Sequence, residues 1–309
     1  MDRKESSAMK QKHLILLLLF LPLYAHAEHV FEAGVHGGAA GWNAQTNYVS
    51  PRAGFHGGAQ IYYTYFSPRI IGFRTGATFD FHQPGFGKLN YEDTYSTIDV
   101  ENEQMEISYN IGSLRETHST WSVGIPLQLA FAKKRFAFYI GPKAVFPLAA
   151  TWKQKAVNAA LSVYYPAYDN RIYESYPLAC SRDFSMTNSG KMKVEKVQWW
   201  LSLEFSYAIL INSWARNYRS YIMVGAYFDY CFSKTTSSRS KAESLLMLTD
   251  TRDGFPLQRV MTTVVEANRQ GRQLVRDFSP FDVGIKISYA IAPFKPHKSA
   301  YTTCHCFDE

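Results

Sequence analysis

The sequence predicts an all-β fold: an up-and-down antiparallel transmembrane β-barrel of eight strands, with ten as the alternative count. Three observations predict it. Eight segments alternate apolar and polar residues with a period of two. The connections between those segments alternate short and long. The one extended apolar run, Leu14 to Leu23, lies near the N-terminus. It is about half the roughly 20 residues a spanning helix needs.

Composition agrees with this class. The 309 residues carry a formal net charge of +7, with only 19% charged and 16% aromatic residues, among them 21 Tyr and 21 Phe. That load of β-formers argues against an all-α chain. A mean hydropathy of -0.23 excludes a polytopic helical membrane protein. There is ample apolar surface to bury, so the chain is not disordered over most of its length.

Residues 1–27 read as a secretory signal peptide. Arg3, Lys4, Lys10 and Lys12 form the charged start, Leu14 to Leu23 the apolar centre, and Ala25-His26-Ala27 the cleavage site. The mature chain is expected to begin at Glu28. It keeps a net charge of about +5, because residues 1–27 hold four strong bases and two acids. An exported chain without a spanning helix enters a membrane only as a closed barrel.

The strands are expected at about 29–41, 52–66, 69–82, 119–132, 135–150, 195–211, 217–233 and 280–292. From 70 to 82, Ile71, Phe73, Thr75, Ala77, Phe79 and Phe81 form one face. Arg74, Asp80 and His82 stand on the other. From 197 to 211, Val197, Trp199, Leu201, Leu203, Phe205, Tyr207, Ile209 and Ile211 oppose a face with Ser202, Glu204 and Ser206. Each segment exceeds the roughly 9–11 residues of a tilted spanning strand. Short turns are expected at Ser67-Pro68-Arg69, Lys133-Lys134 and Asn212 to Arg216. Long connections are expected at 42–51, 83–118, 151–194 and 234–279. Short periplasmic turns and long outer loops are the pattern of outer-membrane barrels. Weak alternation in 104–111 and 257–266 either extends hairpins above the membrane or adds the two strands of the ten-stranded alternative.

The polar faces carry Glu32, His36, His56, Gln60, Arg74, Asp80, His82, Lys143, Glu204, Asp229, Asp282 and Lys286. In a secreted lipocalin-like barrel these would meet water. In a membrane barrel they fill the lumen. Aromatics near the ends of the apolar faces, such as Tyr63, Tyr65, Trp121, Phe136, Trp199, Phe232 and Tyr289, favour lipid, since girdles form at both interfaces. Glu32, Arg74, Lys143, Glu204, Asp229 and Lys286 are expected to form a charge-paired structural network, because a narrow lumen tolerates charge only in pairs. A general porin is excluded at eight strands, because an aqueous channel takes about 16.

The final segment, Asp282-Val283-Gly284-Ile285-Lys286-Ile287-Ser288-Tyr289, resembles the C-terminal signal read by the barrel-assembly machinery, an expected partner during biogenesis. Gly124-Ile-Pro-Leu-Gln-Leu and Phe138-Tyr-Ile-Gly-Pro-Lys-Ala-Val-Phe-Pro-Leu148 resemble the PorT-like outer-membrane barrel family, among small barrels of the OmpA N-terminal and OmpX kind. Tyr221 to Tyr230 and Val283 to Tyr289 extend the resemblance. It covers most of 28–292 and implies an outer-membrane barrel; residues 293–309, beyond the last strand, are expected to form a periplasmic tail. The resemblance also implies, as one role, support of protein secretion across the envelope. It carries over no catalytic residue.

Catalysis is not expected. A lipid A-modifying enzyme would need a trio such as Ser119, His118 and Glu116, or His82, near the outer leaflet. Their spacing matches no motif. Neither a P-loop nor a dinucleotide fingerprint is present, and no cofactor is expected. Cys304-His305-Cys306, with His297, lacks a second cluster at zinc-finger spacing, so no metal is assigned. Cys180 and Cys231 are candidates for a disulfide. Basic residues in 151–194 and 234–279 point to outer-membrane lipids and lipopolysaccharide as partners. No element suited to a nucleic-acid groove is present. The expected role is non-enzymatic, through surface structure or interaction by the outer loops.

Overall fold

The structure is a computed structural model. It describes residues 28–292, apart from 47–48, 68–70, 99–100, 173–183, 213–218, 236–239, 243–246, 249–256, 259–264, 270–271 and 274. The signal peptide, Cys180 and the tail from 293 lie outside the described residues.

Eight strands close into one barrel. They are β1 (Glu28–Thr46), β2 (Ser50–Phe66), β3 (Ile71–Ile98), β4 (Gln104–Lys133), β5 (Phe136–Tyr165), β6 (Gln198–Asn212), β7 (Arg219–Cys231) and β8 (Val275–Ala292). Each pairs antiparallel with its neighbours in sequence, and β8 returns to pair with β1. Closure leaves no free barrel edge, which a bilayer requires because it offers the backbone no hydrogen bonds. The eight-stranded count therefore holds. Residues 104–111 belong to β4, and among the described residues Leu257–Gln258 pairs with Met247–Leu248 and with no barrel strand.

The usual inside-outside rule is inverted around the belt. Phe31, Val35, Ile61, Phe73, Leu129, Phe205, Ile285 and Ile287 are exposed, while Glu32, Arg74, Glu204 and Lys286 are buried. Such a surface is stable only against hydrocarbon. Aromatic clusters rim the belt. Phe136 contacts Phe205 and Tyr207 at the end with short turns. Trp121 contacts Phe79 and Phe81 at the other. Among the described residues no helix is long and apolar enough to cross a membrane.

Five strands run further than their alternation predicts: β1 extends to Thr46, so most of the long connection expected at 42–51 is strand, β8 starts at Val275, and β3, β4 and β5 extend much further. The expected loop at 83–118 is mostly the continued β3–β4 hairpin, and β5 continues to Tyr165, with Phe184–Lys191 paired beside it. Two phase slips hide this. The β4–β5 register shifts beside Trp121, where Ser122 pairs Pro147 and Trp121 pairs Ala149. Asn90 takes a positive φ of 50° between the paired Leu89 and Tyr91. Beyond the belt the pattern also changes sense. Tyr91, Ile107, Ile111 and Leu114 are buried, while Glu92, Asn110 and Arg115 are exposed. This raised lip packs as a water-soluble sheet. The tight turn expected at Lys133-Lys134 sits one residue later, with Lys134 at φ 57°.

Candidate functional site

Side chains fill the barrel in layers. At the end with short turns lies an apolar plug including Val30, Phe66, Ala130, Tyr139, Tyr221, Met223 and Ala290.

Above it lies a balanced ion layer. Arg74 donates to Glu204 at 2.8 Å and to Glu32 at 2.9 Å. Lys286 donates to Glu32 at 3.0 Å and also meets Glu204. Ser288 donates to Glu32 at 2.5 Å, and Ser206 to Glu204 at 3.2 Å. The guanidinium is stacked between two rings, 3.6 Å from the Tyr62 centroid and 4.0 Å from that of Tyr139. Two cations face two anions, and both guanidinium faces are covered, as buried charge requires.

The next layer is different in kind. Lys143 donates to Asp80 at 2.8 Å and to Asp229 at 3.1 Å, and Thr78 donates to Asp80 at 2.7 Å. His36 Nε2 lies 2.9 Å from Asp80 Oδ1. His56 Nε2 and His82 Nδ1 lie 3.6 and 3.8 Å from Asp282 Oδ2. His56 Nδ1 shares a 2.6 Å hydrogen bond with the Tyr227 hydroxyl.

Glycines make the room. His36, Gly58 and Asp80 share one register row across β1, β2 and β3. A Cβ on Gly58 would lie 2.2 Å from the Phe79 carbonyl oxygen and 2.8 Å from His36 Nε2. Without it, His36 reaches across β2 to Asp80. A Cβ on Gly124 would likewise lie 2.4 Å from Lys143 Cε.

The six residues expected as one network therefore fall into two layers. Glu32, Arg74, Glu204 and Lys286 belong to the lower one, and Lys143 and Asp229 to the upper. The expected network omits Asp80, Asp282, His36, His56 and His82, although all stand on the inward faces. The usable signal was strand register, because the row His36–Gly58–Asp80 spans 44 positions of sequence and forms no local motif.

Towards the lip, Trp200, Val145 and Cys231 cap the second ion layer. Cys231 is a buried free thiol. Higher still, Trp42 stacks on Phe86 at 5.7 Å, and His118 meets both rings edge-on. His118 Nε2 is 2.5 Å from Glu116 Oε1, and Gln154 donates to Glu116 at 3.2 Å. Glu116 stands above the apolar belt, and burial holds its carboxyl well above the ordinary value of 4.5. Ser119 does not join this pair. It follows His118 directly in β4, so it points to the opposite face, where Gln83 donates to it at 2.9 Å. His82 belongs to the ion layer below. The trio that hydrolysis would need is not assembled.

On the outer face, just above the belt, Arg115 pairs with Lys155, and Thr117 with Lys153. Lys191 pairs with Thr151 at the same edge. Arg115, Lys153, Lys155 and Lys191 are all exposed. Like charges directly opposite in a sheet repel, so this band suits an anionic surface.

No protein-family model and no curated protein matches the chain. Among solved structures it is similar to Neisserial surface protein A, at 10% identity and a TM-score of 0.28, over 87% of this chain and 99% of that one. It is also similar to Ail, the attachment invasion locus protein of Yersinia pestis, solved with the heparin analogue sucrose octasulfate. That match has 9% identity and a TM-score of 0.24, over 84% of this chain and 98% of that one. The barrel architecture rests on the strand pairing described above, independently of these overlaps.

Proposed function

We propose that this chain is an outer-membrane barrel, exported through residues 1–27, that acts at the cell surface by binding rather than catalysis. The observation that carries this reading is the raised lip. From residue 83 to 98, β3 runs beyond the belt for roughly 50 Å of extended chain, and β4 and β5 accompany it. Tyr91, Ile107, Ile111 and Leu114 pack inside the lip around the buried Glu116, and Glu92, Asn110 and Arg115 stand outside, which supports a preformed sheet beyond the membrane. The basic band of Arg115, Lys153, Lys155 and Lys191 lies at its foot, at the level of the outer-leaflet head groups. There it grips the phosphates of lipopolysaccharide, by charge-assisted hydrogen bonds that arginine and lysine make well. The PorT-like segments add a second reading, support of secretion, in which the same lip contacts envelope partners.

The test is binding of labelled lipopolysaccharide to the barrel folded in detergent. Replacing Arg115, Lys153 and Lys155 together by Gln is expected to weaken binding tenfold or more and to flatten its salt dependence. An epitope tag inserted after Asn102 is expected to bind antibody on intact cells. Unchanged lipopolysaccharide binding would overturn the head-group contact. A tag hidden on intact cells but reached after lysis would overturn the orientation.

A further inference from the structure

We propose that the upper ion layer of the lumen is a transition-metal site, in which His36 Nε2, His56 Nε2 and Asp80 Oδ1 bind one divalent ion of the zinc class.

Geometry comes first. Donor atoms of His36, His56 and Asp80 all lie within 4.8 Å of one another. Donors bonded at about 2.1 Å to one tetrahedral ion stand about 3.4 Å apart, so His36 Nε2 and Asp80 Oδ1, now 2.9 Å apart, would open slightly while His56 moves in. The three residues come from adjacent strands β1, β2 and β3, so one ion ties three strands together inside the barrel.

The surrounding groups already orient the donors. Tyr227 holds His56 Nδ1, which turns His56 Nε2 towards the cluster. A partner on the remote nitrogen is the usual support of a metal-binding imidazole. Lys143 and Thr78 both engage Asp80 Oδ2. Oδ1 of Asp80 is buried, with His36 Nε2 beside it at 2.9 Å. Asp282 Oδ1 and Asp229 Oδ1 are buried without a hydrogen bond.

Charge supplies an independent argument. The lower layer is neutral, with Arg74 and Lys286 against Glu32 and Glu204. The upper layer sets Lys143 alone against Asp80, Asp229 and Asp282. The layer is thus richer in acids than in fixed cations, and a dication is a fitting counter-charge. Two imidazole nitrogens and one carboxylate oxygen suit zinc, cobalt, nickel or copper, whereas calcium and magnesium want all-oxygen sites. Asp282, beside His56, stands at the margin as a further oxygen donor.

The test uses the full chain folded in detergent with no affinity tag. Cys304→Ser, His305→Gln and Cys306→Ser remove the donors of the tail. After stripping with a chelator, zinc is titrated calorimetrically and cobalt by its visible absorption. We expect one ion per barrel, a cobalt spectrum of low-symmetry nitrogen and oxygen ligation, and a higher unfolding temperature with zinc. His56→Gln and His36→Gln should each weaken binding tenfold or more, whereas His118→Gln should not. Each variant is first checked for the heat-modifiable band of a folded barrel on SDS gels. Absence of zinc and cobalt binding by the parent chain overturns the proposal without reference to any variant. So does affinity unchanged in both His56→Gln and His36→Gln.

Discussion

Asp229 and Asp282 are direct partners across the β7–β8 ladder, and both side chains are buried inside the barrel. Like charges placed opposite each other in a sheet destabilise it. Asp282→Asn removes the repulsion and keeps the shape. In chelator, at mildly alkaline pH, this variant is expected to be more stable than the parent by about 1 kcal/mol. Urea unfolding followed by tryptophan fluorescence checks it. Lower stability would mean that the contacts of Asp282 with His56 and His82 outweigh its repulsion by Asp229.

Arg74 is the keystone of the lower layer, because it touches both carboxylates and both tyrosine rings. Arg74→Ala leaves Lys286 alone against Glu32 and Glu204. Removing one partner of a buried ion pair costs about 3–5 kcal/mol. The double variant Arg74→Met with Glu204→Gln keeps the charge balanced and should recover most of that loss. The same urea series measures both, and equal losses would show that packing, not charge, holds the layer.

Exposure alone does not distinguish lipid from water, but substitution does. Ile287 is 52% exposed in the belt, and Leu89 is 73% exposed on the lip. A lysine near the bilayer midplane costs about 2–4 kcal/mol. Ile287→Lys is therefore expected to lower barrel stability in lipid vesicles by that amount, while Leu89→Lys should be nearly neutral. Equal effects at the two positions would contradict the membrane boundary drawn here.

Glu116 gives the lip a pH dependence. Burial raises its carboxyl above the ordinary value of 4.5. The folded lip then binds the proton more tightly than the unfolded chain does. The stabilisation is complete below about 4.5 and is lost as pH rises towards the folded value. Hydrogen exchange in residues 104–118 should accelerate across that window by more than the intrinsic base-catalysed rate. Glu116→Gln should remove the extra slope and protect the lip at neutral pH.

Much of the barrel was legible in the chain because its belt obeys one simple rule. Ile71, Phe73 and Phe79 must face lipid, and Arg74, Asp80 and His82 the lumen, so period two survives intact through the membrane. The lip was not legible. Past the belt the solvent changes from hydrocarbon to water, and the apolar residues move from the outer to the inner face. The register shift beside Trp121 and the positive φ of Asn90 displace the phase at the same places. A pattern that changes sense and slips together reads as loop.

The sequence by itself determined the strand count and which belt residues face inward, because both depend on local alternation and on chain length. Only the tertiary structure decided which inward residues meet. It separated a neutral layer around Arg74 from an acid-rich layer around Lys143, and it placed His36 and Asp80 together across the bare backbone of Gly58. The physical reason is register. A one-residue slip turns every side chain to the other face, and closing eight strands sets all the registers together, so these juxtapositions exist only once the barrel is closed.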